Sequence, residues 1–123
     1  MMQKMNRKDL LRSLALAALV SGMALARAPS ASPAQAMPEY RLVLRNHAFS
    51  PTTLKVQADT KFKVLVTNQD STPSEFESND FNREKIVLPG STITVFIGPL
   101  GKGQYKFFDD FHHSTANGVV IVE

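Results

Sequence analysis

The side chains best suited to chemistry stand in two short clusters. Asp109-Asp110-Phe111-His112-His113 puts two carboxylates and two imidazoles within five consecutive positions near the end of the chain, and Glu75-Phe76-Glu77 puts two more carboxylates one residue apart. Carboxylate oxygen and imidazole nitrogen are the donors that suit Fe, Cu(II), Zn or Mn. Residues i and i+2 of a strand share a face, so Phe76 can enter a core while Glu75 and Glu77 point together to the other side. Each cluster also has a plain reading. Acids on a strand at the edge of a sheet discourage edge pairing, and acids and histidines in a loop are often only solvated. His47 lies beside an expected turn at 46–51 and reads as a surface histidine, while Glu84 between Arg83 and Lys85 reads as local charge pairing. With no cysteine in the chain, zinc ribbons, thiol redox chemistry and disulfides are excluded.

These clusters need elements to hold them, and the pattern around them is that of strands. Short runs alternate apolar and polar residues between turn residues. The clearest is 61–68, where Phe62, Val64 and Val66 form one face and Lys61, Lys63, Leu65 and Thr67 the other. Further runs cover 40–46, 53–57, 84–88, 91–97, 104–108 and 118–123, and Pro73 opens a short run at 73–78 that reads as an edge strand. No window holds a 3.6-residue period. The expectation is an all-β fold, a Greek-key β-sandwich of about eight strands, with the 109–113 cluster in the connection between the last two strands.

Residues 1–36 read as a signal peptide and processed linker, and 37–123 as one domain. Lys4, Arg7, Lys8 and Arg12 precede an apolar run at 14–26, and Ala34-Gln35-Ala36 supplies small residues for cleavage, with Ala24-Leu25-Ala26 as a second site. The run is about half the roughly 20 residues of a membrane-spanning helix, so stable membrane insertion is not expected. Asn6-Arg7-Lys8-Asp9-Leu10-Leu11-Arg12 resembles a twin-arginine signal with Lys in the second position, which leaves that route and the general secretory one both open. Residues 1–36 hold five of the 14 basic and one of the 11 acidic side chains, leaving nine against ten and a net charge of −1 on the remainder. The basic balance of the whole chain therefore gives no reason to expect nucleic acid as a partner.

The last segment, Gly103-Gln104-Tyr105-Lys106-Phe107-Phe108-Asp109-Asp110-Phe111-His112, then Asn117-Gly118 and Val119-Val120-Ile121-Val122, resembles the metal loop of blue copper proteins. On that resemblance Asp109 stands at the cysteine ligand, His112 at the histidine and Asn117 at the axial methionine. Val66-Thr67-Asn68 with Pro73-Ser74 resembles the segment of the remaining histidine, with Ser74 in the ligand's place. One of four ligands is kept, so a thiolate-based copper centre is not expected.

Five ordered segments, Phe49-Ser50-Pro51, 72–78, Arg83-Glu84-Lys85, Ile97-Gly98-Pro99-Leu100 and Asp110-Phe111-His112, together resemble the EfeO-type cupredoxin-like domains of bacterial iron uptake. Within that family the stand-alone periplasmic members of ferrous-iron transport systems are the most similar. The resemblance implies a periplasmic protein binding Cu(II) or iron (Fe(II) or Fe(III)), working beside a periplasmic iron-binding protein and an inner-membrane iron permease. Asp109 and His112 are then the expected ligands, with Glu75 and Glu77 completing the shell or holding incoming Fe(II), and Asp110, His113 and His47 in reserve. A bound Cu(II) taking one electron from Fe(II) would make the protein a copper-dependent ferroxidase. A non-redox metal carrier and a metal-free docking module of a transport complex are the competing readings.

Overall fold

A computed structural model describes residues 36–123, together with the isolated Gly22 and Ala24. The expected signal peptide and linker lie almost wholly outside the described residues. No helix among the described residues is long and apolar enough to cross a membrane.

Among the described residues nine strands form two sheets: β1 (Glu39–Arg45), β2 (Ala48–Ser50), β3 (Thr53–Val56), β4 (Phe62–Asn68), β5 (Ser74–Ser78), β6 (Arg83–Val87), β7 (Thr92–Ile97), β8 (Gly103–Asp109) and β9 (Asn117–Val122). The four-stranded sheet runs β2-β1-β4-β7 and the five-stranded sheet β3-β9-β8-β5-β6. The β1·β4 and β3·β9 pairs are parallel. Such pairs need long crossovers, which is how a chain with only short local connections becomes a Greek-key sandwich.

The alternation in β4 holds: Phe62, Val64 and Val66 are all fully buried, and Leu42, Leu44, Phe76, Phe107 and Val120 pack with them between the sheets. Phe49, Phe76 and Phe107 meet edge-to-face or offset, with ring centroids 5.1–6.2 Å apart, and form the floor under the end of the sandwich where β8 finishes.

Two expectations about the elements change. The turn at 46–51 contains β2, three residues paired with β1, which is too short to show a period. The run at 73–78 is not an edge strand, because β5 lies between β8 and β6. Pro73 sits just before the strand, where its missing N–H costs no ladder bond, so it carries no information about an edge. The outer positions at this side belong to β6 and β7. There Arg83 Nε donates to Phe96 O at 2.8 Å and Lys85 Nζ to Thr94 O at 3.3 Å. The two cations cover edge carbonyls of β7, which blunts an exposed edge. Glu84 therefore does not pair with its neighbours: Arg83 and Lys85 point to one face of β6, and Glu84 to the other.

Where β8 and β9 pair, Gly118 lies opposite Phe107. A Cβ at Gly118 would run into the Phe107 ring and come within 2.9 Å of Thr52 O. Phe107 is fully buried among other rings and cannot swing aside. Gly118→Ala should therefore destabilise the fold by about 1–3 kcal/mol, the usual cost of overpacking, which a urea unfolding curve would read directly. A midpoint equal to the parent's would show that the ring has room to move.

Candidate metal centre

Strand alternation divides the candidate ligands between two faces of the five-stranded sheet. On β8, Phe107 and Asp109 point inward and Phe108 outward. On β5, Phe76 points inward while Glu75 and Glu77 point outward, with Phe76 opposite Asp109 and Glu77 opposite Phe108.

Inside, Asp109 is fully buried at the end of β8. Its Oδ1 accepts from Glu75 N at 2.9 Å and Phe111 N at 3.0 Å, and its Oδ2 lies 2.8 Å from His112 Nδ1. Ser74 Oγ faces the same carboxylate but meets no partner in hydrogen-bond geometry. Burial alone would push the Asp109 carboxyl up, but the hydrogen bonds from Glu75 N–H, His112 and Phe111 N–H outweigh it and hold it below its ordinary value. The carboxylate is ionised, so the His112 Nδ1–H donates to it, which leaves Nε2 as the nitrogen that can meet a cation. A histidine keyed at one nitrogen by a carboxylate is the arrangement that orients an imidazole toward a cation. The bond from Phe111 N also caps the single 3-10 turn, Asp110–His112, which swings the chain out of the strand.

His47 is not the plain surface histidine its sequence position implies. Its ring stacks on His112 with centroids 3.8 Å apart and planes 15° apart. It occupies the tight turn between β1 and β2, where Asp70 accepts from both Asn46 N (2.7 Å) and His47 N (3.0 Å). These bonds, the His47 N–H first, hold the Asp70 carboxyl below its ordinary value against some burial. Asp70 in turn is set by Asn68, whose side chain accepts from Asp70 N and donates to Thr72 O and Val87 O.

Outside, Glu75, Glu77 and Asp110 bring one ligand oxygen each to within 4.8 Å of one another, the one such group of three among the described residues. Glu84, opposite Glu77 across the β5·β6 pair, joins them. A side-chain hydrogen bond with Glu84 is the largest of the effects that push the Glu75 carboxyl up to about 7, followed by burial and the charges of Glu84, Asp110 and Glu77. Glu77 is also raised, by burial and then by Asp110 and Glu84, with His113 opposing. His113 stacks on Phe108 with centroids 4.3 Å apart.

The single shell of Asp109, His112, Glu75 and Glu77 is thus divided into a stacked imidazole pair, of which His112 is keyed by the buried Asp109, and an outer carboxylate cluster that recruits Asp110. Glu84 and Asp70 were not among the expected site residues. The hairpin pairing of Glu77 with Glu84 across 79–82 was the available signal for the first; nothing local marks the second.

The two-sheet sandwich, with strand orders β2-β1-β4-β7 and β3-β9-β8-β5-β6, is cupredoxin-like. The chain matches the cupredoxin-like domain family over residues 14–122 and belongs to it. It is 42% identical over 84 residues to an uncharacterised protein of Rickettsia prowazekii (strain Madrid E), covering 68% of this chain and 67% of that one. Its fold is similar to auracyanin A, a blue copper protein of Chloroflexus aurantiacus, with a TM-score of 0.62 and 12% identity over 72% of this chain and 100% of that one. It is similar also to a purple cupredoxin of Nitrosopumilus maritimus, with a TM-score of 0.54 and 24% identity over 68% and 99%.

The copper centre that a thiolate defines does not fit these residues. The chain has no cysteine, Asp109 spends its lone pairs on the backbone and His112, and Asn117 donates to His113 O at 2.6 Å in the loop. A cation held by nitrogen and oxygen donors does fit, both at His112 Nε2 and among the outer carboxylates.

Proposed function

We propose that this is an exported, periplasmic metal-binding protein of an EfeO-type iron-uptake system, in which Glu75, Glu77 and Asp110 hold iron as cargo for an inner-membrane permease. The observation that carries the reading is the convergence of three carboxylates within 4.8 Å, beside Glu84, whose hydrogen bond leads the effects that raise Glu75 to about 7. Like charges brought together at a cost in repulsion are accounted for by a cation that relieves it. Oxygen donors favour Fe(III) over Fe(II), so the cluster eases loss of one electron from bound Fe(II). Cu(II) held at His112 would supply a one-electron acceptor. The chain's own part is to bind and orient: Asp109 fixes the His112 ring and, through the Glu75 and Phe111 N–H groups, ties the two centres to one carboxylate. The basic start and apolar run at 14–26 support export, and the ordered segments from Phe49 to His112 support the iron-uptake assignment.

The test is anaerobic Fe(II) titration of the metal-free protein and of a Glu77→Gln/Asp110→Asn double variant. The variant should bind about a hundredfold more weakly or worse, since even groups behind a metal ligand are worth 10–100-fold. It should also unfold no more easily than the parent, because the repulsion is gone. Equal affinity would overturn the cargo site and favour a docking module. Tight binding without faster Fe(II) oxidation by the copper-loaded parent would leave a carrier.

A further inference from the structure

The net charge of −1 on residues 37–123 conceals a strong asymmetry between the two sheets. Lys63, on the middle strand β4, stands opposite Glu39 on one side and Phe96 on the other. Alternation from there places Arg41, Arg45 and Lys61 on the same outer face of the four-stranded sheet. Lys61 Nζ does lie over the Phe96 ring, 5.9 Å from its centroid. Glu39 is the one acid that the strands bring to this face, and it is shared: Oε2 accepts from Arg41 Nη2 at 3.1 Å, and Oε1 lies 3.5 Å from Lys63 Nζ. One carboxylate against four cations leaves the face positive. At its β7 edge Arg83 and Lys85, bonded to the carbonyls of Phe96 and Thr94, add two more. Six of the nine basic side chains of residues 37–123 thus gather on one side of the sandwich.

The grouped acids Glu75, Glu77, Glu84 and Asp110 lie on the outer face of the other sheet. Packed sheets are about 10 Å apart and their outer side chains further still, beyond the screening length of about 8 Å at physiological salt. A charged surface that approaches the four-stranded sheet therefore meets the cations and not the acids. Among those cations stands an aromatic ring. Phe96 is 49% exposed while its neighbours Val95 and Ile97 are buried, so the ring cannot turn inward without a slip in the register of β7. Half-buried Leu65 and Val43 continue the apolar strip across β4 and β1.

We propose that the outer face of the four-stranded sheet is a docking surface for an anionic phospholipid bilayer, with Phe96 at the headgroup boundary and Arg41, Arg45, Lys61 and Lys63 on the headgroups. The complementarity is of charge and of polarity together: cations meet lipid phosphates, and an aromatic side chain suits the interface between headgroups and acyl chains. The cations are spread over three strands of an open sheet, which a fluid array of phosphates can match without any fixed shape. Attachment by one ring and a few cations is peripheral and reversible. It would turn the outer carboxylates away from the like-charged lipid. The inference goes beyond metal binding and does not rest on it.

The experiment is co-sedimentation with vesicles of one part phosphatidylglycerol to two parts phosphatidylcholine, and with vesicles of phosphatidylcholine alone. The protein is used as an expressing bacterium exports it, its mass measured first so that any retained part of residues 1–36 is known and common to all variants. The parent should bind the mixed vesicles in preference to the neutral ones, and less as salt is raised. Lys61→Gln/Lys63→Gln should bind them about thirtyfold more weakly, about fivefold for each lysine lost from the surface. Lys55→Gln/Lys102→Gln changes the net charge equally, but Lys55 lies on β3 in the other sheet and Lys102 in the loop before β8. That variant should bind as the parent does. Phe96→Ser should weaken binding without changing its salt dependence. Equal losses in the two lysine variants would mean that net charge alone governs, and no preference of the parent for the mixed vesicles would overturn the proposal outright. Oligomers that Lys61→Gln/Lys63→Gln dissolves, with no vesicle binding by the parent, would make the acidic sheet of a second copy the occupant and defeat the lipid. If the parent binds vesicles but no iron, the cargo reading fails alone. If it binds iron but shows no lipid preference, this inference fails alone.

Discussion

Asp109→Ala is expected to cost about 2–6 kcal/mol of folding stability, enough to consume much of what a domain of this size possesses. The figure follows from what the side chain does. It is fully buried and accepts from two backbone N–H groups, on Glu75 and Phe111, as well as from His112. Truncation leaves both N–H groups without a partner, at about 1–3 kcal/mol each. A metal ligand could be deleted with the fold intact, as its position at the end of the metal-loop segment implies. A buried clamp cannot. Asp109→Asn separates the two roles, because the amide oxygen can still accept from Glu75 and Phe111 while its NH2 group opposes His112 Nδ1–H. That variant should keep most of the stability and lose the fixed tautomer of His112. The pH dependence has a definite sign. The folded carboxyl lies below its ordinary value of 3.8, so the folded state holds fewer protons than the unfolded chain in that range. Its contribution is complete above 3.8 and is lost as the pH falls through the folded value. Urea unfolding of the three proteins at neutral pH decides the matter, and an Asp109→Ala midpoint within error of the parent's would show that the hydrogen bonds to Asp109 contribute nothing net.

The division of the site into two centres shows what a period of two can and cannot give. Alternation placed Phe62, Val64 and Val66 correctly, and Glu75 with Glu77 on one face. Carried one strand further it also tells Asp109 from Asp110, since Gln104 and Lys106 set the outer face, Phe107 therefore faces inward, and Asp109 follows it. What breaks the pattern is the 3-10 turn, which sends Asp110 out to the glutamates and brings His112 back over the end of the sandwich. A turn of three residues has no periodicity from which to read it. Glu84 was legible by the same alternation, because Arg83 and Lys85 must lie on the opposite face of the strand from it. Neighbours in sequence along a strand point to opposite faces and do not meet in space. His47 and Asp70 were not legible. They meet because β1 and β4 pair in parallel, 23 residues apart in the chain, and local pattern does not report a pairing between distant strands.

Cation affinity at the outer cluster should fall with pH below about 7, approaching tenfold per unit, so that binding at pH 5 is about fiftyfold weaker than at pH 7. Glu75 is the reason. The hydrogen bond to Glu84, burial, and the charges of Glu84, Asp110 and Glu77 raise its carboxyl to about 7, so below that pH the metal-free site holds a proton between Glu75 and Glu84. A cation must expel that proton before the oxygen can serve as a ligand, and Glu77, also raised, can only steepen the dependence. The same proton sets the stability of the metal-free protein, with the opposite sign to Asp109. In the folded state Glu75 titrates at about 7 against an ordinary 4.5, so between those values the folded protein binds more protons than the unfolded chain. Metal-free stability therefore falls as the pH rises from about 4.5 through 7. Glu84→Gln, which removes the first and third causes of the shift but none of the three grouped carboxylates, should flatten both curves together. Titrations at pH 5, 6 and 7 in two buffers of different ionisation enthalpy measure affinity and released protons at once. Affinity independent of pH over that range, with no proton released, would mean that the cation binds elsewhere and that the raised Glu75 belongs to a purely local repulsion between β5 and β6.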